Sequence, residues 1–157
     1  MPNVTQIPNA AQGLTKLDQP IVVVNRRIEA NVQVTMHQHA WGQFVYASRG
    51  VLLVTASNHR YIVPSQQGVW VPAFTLHEVT SQTDAAIVSL YIDLSEGLGL
   101  PQESTVLAVS TLLQNLLQEA ALQPRKIDWH SADGRLLRLA RDYLAKAKPI
   151  RFHLPYP

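Results

Sequence analysis

Residues 37–50, HQHAWGQFVYASRG, and residues 68–77, GVWVPAFTLH, decide how this chain is read. On a β-strand, positions two apart point to the same side. His37 and His39 can therefore approach one cation from a single strand. Gln43 opens the next strand and offers an amide oxygen, and His77, just past the turn at Pro72, can close the set. Three neutral imidazoles and an oxygen suit a divalent transition metal such as Zn, Ni, Fe or Mn. The simpler alternative is a metal-free pocket lined by hydrogen-bonded polar groups. Trp41, Phe44, Tyr46, Trp70 and Phe74 could stack on an organic ligand; the alternative for each is core packing.

Working outward, short strand signals surround this stretch. Ile21–Val24 is a β-branched run. From Asn31 to His39, Val32, Val34 and Met36 alternate with Gln33, Thr35, His37 and His39. Gln43–Ser48, the Arg49-Gly50 turn and Val51–Ala56 read as a hairpin. Arg60–Val63, Val69–Val71, His77–Thr80 and Ala85–Asp93 complete the set. Strands this short and closely spaced predict a sandwich or small barrel, not a parallel sheet with crossover helices.

Beyond Asp93 the apolar period lengthens to that of a helix. Val106, Val109, Leu113, Leu116 and Ala120 form a stripe that predicts a helix from about 102 to 122. A second helix is predicted from about 131 to 147, burying Leu136, Ala140, Tyr143 and Ala147. Pro149, Pro155 and Pro157 bar regular continuation. The expected organisation is an arm at 1–18, a β-barrel at 19–94, and a helical dimerisation and linker segment at 95–157.

Composition limits the function classes. The chain has 157 residues, is 46% hydrophobic and lacks Cys, which excludes disulfides and a cysteine nucleophile. No apolar run is long enough to cross a bilayer and no secretion signal is read, so no membrane partner and a cytoplasmic location are expected. Charge is uneven: 5 Lys/Arg against 8 Asp/Glu up to Pro124, then 8 against 3. A basic tail this short reads as a solvated helix face rather than a nucleic-acid surface. Arg135, Arg138 and Arg141 fit that reading. Glu78, next to His77, points away from the pocket and is no catalytic base. His59, His130 and His153 read as solvated or structural.

The run from His37 to Gly50 resembles the first cupin motif, with Gln43 where Glu is usual. Gly68 to His77 resembles the second, with Phe74 where Gly is usual. Across about residues 20–157 the chain resembles the amino-terminal sensor domain of AraC-type transcriptional regulators. The resemblance implies a mainly β fold with C-terminal α structure: a cupin double-stranded β-helix, or jelly roll, followed by two helices. It implies a small-molecule or metal effector near His37, His39, Gln43 and His77, with Trp41, Tyr46, Trp70 and Phe74 as ligand-binding candidates. It also implies a homodimer, with Val109, Leu112, Leu113, Leu116 and Leu117 as the dimerisation set. DNA is expected to be reached only through a C-terminal domain outside these residues, since neither helix reads as part of a helix-turn-helix pair. The domain is expected not to be an enzyme. The rival readings are a small metal-dependent cupin enzyme, a dioxygenase or isomerase, and a module that acts only by pairing with relatives. Gln43 and Phe74 argue against the enzyme, because the first removes a negative charge and the second adds a bulky ring.

Overall fold

A computed structural model describes residues 5–9, 11, 13–97 and 99–150. His153 and the end of the Pro-rich tail lie outside the described residues, as do parts of the arm.

Ten strands form two five-stranded sheets. They are β1 (Thr5–Ile7), β2 (Ile21–Ile28), β3 (Val32–His37), β4 (Gly42–Arg49), β5 (Leu52–Ala56), β6 (His59–Val63), β7 (Gln67–Val71), β8 (His77–Thr80), β9 (Ala85–Ile92) and β10 (Thr105–Ala108). One sheet runs β1-β3-β8-β5-β6 and the other β10-β7-β4-β9-β2. This is the expected jelly roll. Gly50 makes the β4–β5 turn possible: its φ of +86° is a region that L side chains rarely adopt.

The two sheets enclose an apolar interior that includes Val34, Val45, Val54, Val69, Val71, Val79 and Ile87. The first sheet alternates, with β5 buried at Leu52, Val54 and Ala56. The second sheet is buried on both faces, so its strands are nearly continuous apolar runs. Its outer face carries Ile21, Val23, Phe44, Tyr46, Trp70, Val88 and Leu90, and packs against the helices α1 (Thr111–Ala120) and α2 (Ala132–Lys146). Gly42 lets the Trp70 indole lie directly on the β4 backbone, where any Cβ would collide with the ring.

Three expectations about the carboxy-terminal segment need correction. The first helix does not begin near residue 102. Thr105–Ala108 is strand β10, antiparallel to β7, and the helix starts after Ser110, whose hydroxyl accepts from the Leu113 N–H at 3.1 Å. The edge of β7 offers the β-branched Thr105 and Val106 a ladder of backbone hydrogen bonds, which overrides their helix-like spacing. The chain after α2 returns to the other side of β10: the Ala108 N–H donates to Lys148 at 2.9 Å and the Ile150 N–H to Val106 at 2.8 Å.

The second correction concerns α2, which buries Gly134, Leu137, Ala140 and Leu144 rather than Leu136 and Tyr143. Its apolar face is rotated by about one residue from the predicted stripe. Its arginines are also not simply solvated. Arg141 pairs with Glu96 at 3.2 Å, both side chains largely covered, and Arg138 lies over the Trp129 ring.

The third correction concerns the dimerisation set. Val109 is not helical, and Val109, Leu113 and Leu117 are consumed by the chain's own core. Leu112, at 44% exposure, and the half-buried Leu116 are the members left near the surface.

The observed α2 face can be tested against the predicted one. Leu137→Ala should cost about 2–5 kcal/mol, read from urea denaturation midpoints, because it leaves a fully enclosed cavity. Leu136→Ala should cost clearly less, since that side chain is only half-buried.

Candidate functional site

The site lies between the two sheets, and its formation turns on one irregularity in β3. Val34 pairs with Val79, but the next pair is His37 with His77. Three residues on β3 thus oppose two on β8, a one-residue bulge. Strict alternation would place His37 on the side opposite Val34. The bulge instead leaves Met36 47% exposed and turns His37 to the inward side shared by Val34, Val79 and His77.

His39 follows β3 and Gln43 lies on the inward phase of β4. His37, His39 and His77 each offer a ligand atom, and these atoms all lie within 4.8 Å of one another. The ring centroids are 4.2 Å apart for His37 and His77, 5.0 Å for His39 and His77, and 5.4 Å for His37 and His39. The three imidazoles called from the sequence therefore meet, and Gln43 meets them.

Each ring is oriented by a backbone carbonyl two residues away. Nδ1 of His37 lies 2.6 Å from the Thr35 oxygen, Nδ1 of His39 2.8 Å from the Trp41 oxygen, and Nδ1 of His77 2.8 Å from the Thr75 oxygen. A carbonyl oxygen only accepts, so each Nδ1 carries the proton and each neutral ring keeps its lone pair on Nε2. All three rings are held neutral. Burial is the main cause and lowers every one of the three pKa values, that of His77 to about 3.

The consequence is a meeting of acceptors. Gln43 Oε1 lies 3.1 Å from Nε2 of His39 and 3.0 Å from Nε2 of His77. The Gln43 amide nitrogen faces the Ser89 hydroxyl at 3.0 Å. Neutral Nε2 atoms have no proton to give that oxygen. Two arrangements relieve the conflict. The amide can rotate, donating to both imidazoles and accepting from Ser89. Alternatively, the lone pairs can share a cation, with the Nδ1–H···O=C bonds fixing the ring orientations as they do around bound metals. The donor set, imidazole nitrogens and an amide oxygen, fits a first-row divalent ion.

The aromatic candidates separate. Trp41 is buried beside the site and stacks on His39, with centroids 4.9 Å apart and planes 8° from parallel. Its indole N–H has no hydrogen-bond partner among the described residues. Tyr46 and Trp70 are on the helix side of the second sheet, away from the barrel interior, and Trp70 donates to the Pro101 oxygen at 2.8 Å. The reason is parity: Phe44 and Tyr46 alternate with Gln43 and Val45, so they cannot share the inward face. Phe74 is 65% exposed and lines an outer groove with Pro72 and Leu94. It holds a left-handed φ of +62°, which explains why Gly suits this position, and only its backbone reaches the site, donating to the His39 oxygen at 2.8 Å.

Beside His37 and Gln43 is a small cavity of about 30 Å³, open to solvent at its mouth and lined also by Asn9, Val24, Arg26, Val34, Val45, Val79, Ile87, Ser89 and Tyr91. Arg26, Ser89, Tyr91 and Asn9 were not singled out from the sequence. Arg26 had a readable signal, as the one charge in phase with Val22, Val24 and Ile28 on β2. The arm contributes twice: β1 pairs in parallel with β3, and Ala11 packs among Val22, Val24, Trp41 and Tyr91.

With this geometry in view, sequence comparison is specific. The family described as the AraC-like ligand binding domain matches residues 21–140. The chain belongs to that family. The HTH-type transcriptional regulator NimR of Escherichia coli is 28% identical over 120 residues, 76% of this chain and 44% of NimR. This AraC-like domain thus spans under half the length of that relative. Two structures of ToxT from Vibrio cholerae share the fold. An apo ToxT variant superposes with a TM-score of 0.65 at 8% identity, covering 82% of this domain and 56% of ToxT. A second ToxT structure gives 0.58 at 12% identity, covering 81% and 54%. No described helix is long and apolar enough to cross a membrane.

The neutral imidazoles of the AraC-like domain make its stability depend on pH. His77 has a folded pKa of about 3 against an ordinary 6.5, so below pH 6.5 the unfolded chain binds more protons than the folded one. Its contribution is complete above that pH and is lost as pH falls toward 3. In the presence of a chelator, urea midpoints should drop between pH 7 and pH 4.5, and His77→Gln should flatten that drop.

Proposed function

We propose that this AraC-like domain is the effector-sensing and dimerisation part of a transcriptional regulator whose DNA-binding domain lies outside these residues, acting in the cytoplasm. The observation that carries the sensing role is the convergence of unprotonated imidazole nitrogens and the Gln43 oxygen inside the jelly roll, with His37 and Gln43 also lining a small cavity. Kinship with the family and with NimR supports the regulatory role.

His37, His39, His77 and Gln43 would hold a divalent transition metal, Zn, Ni, Fe or Mn, which would supply a Lewis-acidic anchor for an effector. Without metal, the same rings and Ser89 would hydrogen-bond an organic effector directly. Trp41 would wall one side by stacking on His39. The chain's own residues couple the site to the arm: β1 pairs with β3, the strand that carries His37, and Ala11 packs on Tyr91 and Trp41. An effector that favours one arrangement of the arm shifts its population, and that shift is the signal passed to an attached domain.

The enzyme reading, a metal-dependent dioxygenase or isomerase, is the weaker one. Among the described residues, no Asp or Glu lines the cavity to act as a general acid or base.

Isothermal titration with Zn, Ni, Fe(II) and Mn salts tests the metal arm of the proposal. Wild type should bind at least one ion, His77→Ala should lose binding, and Gln43→Glu should tighten it by restoring a negative ligand. Indifference of the wild type to every ion sinks the metal arm. For self-association, the accessible residues of the dimerisation set are Leu112 and Leu116. Sedimentation should show a dimer that Leu112→Glu dissociates while the circular dichroism spectrum stays that of the folded domain; a monomeric wild type overturns this part.

A further inference from the structure

Among the described residues, Arg26 stands in the cavity wall without a counter-charge. It lies on β2 between Val24 and Ile28, both buried, and its Cα pairs with Ile87 of β9. It lines the same cavity as His37, Gln43, Ser89 and Tyr91, and its charge is felt at both His37 and Tyr91. Among the described residues Arg26 forms no ion pair, and no carboxylate lines the cavity. The neighbouring depression on the other side of Tyr91 is also positive, with Lys16, Arg125 and Lys126 against Asp18.

A guanidinium inside a largely apolar wall is a demanding arrangement. Its planar fork of donors matches a carboxylate in two parallel hydrogen bonds, stronger than neutral ones. Every other polar group lining this cavity is neutral. Its charge would become more positive if a divalent ion entered, because Gln43 brings no negative charge where a Glu would. The compensating charge must then come from the ligand.

We infer that the effector is a small organic anion whose carboxylate is held by Arg26 in the cavity wall while its other end reaches His37 and Gln43, the members of the imidazole cluster that line the same cavity. This deepens the sensing role proposed above and rests on it. Arg26 sets the charge class of the ligand, and the apolar walls at Val24, Val34, Val79 and Ile87 accept a short carbon skeleton.

The test pairs acids with uncharged analogues at constant ionic strength. Butyrate, benzoate, succinate and malate are titrated beside butyramide and benzamide, followed by Trp fluorescence and by heat. At least one acid should bind, and its amide should not. Arg26→Gln should weaken the acid by about tenfold to a hundredfold, and Arg26→Lys should recover part of the loss. Arg26 is half-exposed and forms no ion pair among the described residues, so circular dichroism melts of both variants should match wild type; a collapsed Arg26→Gln variant leaves Arg26→Lys and the acid–amide contrast to decide. Amides that bind as well as acids, or an acid indifferent to Arg26→Gln, overturn the inference. If uncharged sugars or aromatics bind and no acid does, the anion assignment falls and the sensing role stands. If nothing of any class binds, with or without Zn, both fall.

Discussion

One extra residue in β3 is the constraint on which the site depends. Without the bulge between Val34 and His37, strict alternation would turn the imidazole of His37 outward beside Thr35, away from His39, His77 and Gln43. With it, Met36 is turned toward solvent and His37 joins the inward side. A bulge exchanges a little ladder regularity for the ability to re-aim one side chain. Here it converts a strand with an ordinary polar face into one wall of a three-imidazole floor.

The rest of the architecture keeps that cluster largely buried and oriented. The second sheet is covered on its outer face by α1 and α2, so Gln43 and Ser89 are presented from a sheet with no wet side. Burial removes protons from the imidazoles, and the carbonyls of Thr35, Trp41 and Thr75 hold the remaining N–H bonds away from the centre. The two effects act together. Burial alone would leave the rings free to turn, and the carbonyls alone would leave them free to take up a second proton. Together they maintain lone pairs aimed inward, and buried acceptors of that kind call for a partner in a low-dielectric interior.

The arm connects this chemistry to the surface. β1 extends the sheet that contains β3, and Ala11 closes on Trp41 and Tyr91, so the same strands that position the ligand groups also hold the arm. A regulator needs such an element, one whose placement depends on a few contacts near the bound ligand. Arg26 gives the cavity a definite charge, and charge is the property by which a small pocket can most readily discriminate among metabolites of similar size.

Much of this was legible in the residues. The H-x-H pair, Gln43 and His77 were legible as a cluster that the fold then brings together, because imidazole and amide side chains stand out by residue type. The eight strands from Ile21 to Ile92 were legible because period-two patterning, Gly50 and the proline turns act locally. What tertiary structure decided was parity and partnership. Tyr46 and Trp70 fell on the helix side because pairing with β7 and β9 sets which face is inward. Thr105–Ala108 became strand because a sheet edge lay open beside it, and Leu113 and Leu117 were taken by the chain's own core. The bulge belongs to the same class: it is a relation between β3 and β8, and a relation between two strands is not written in either one alone.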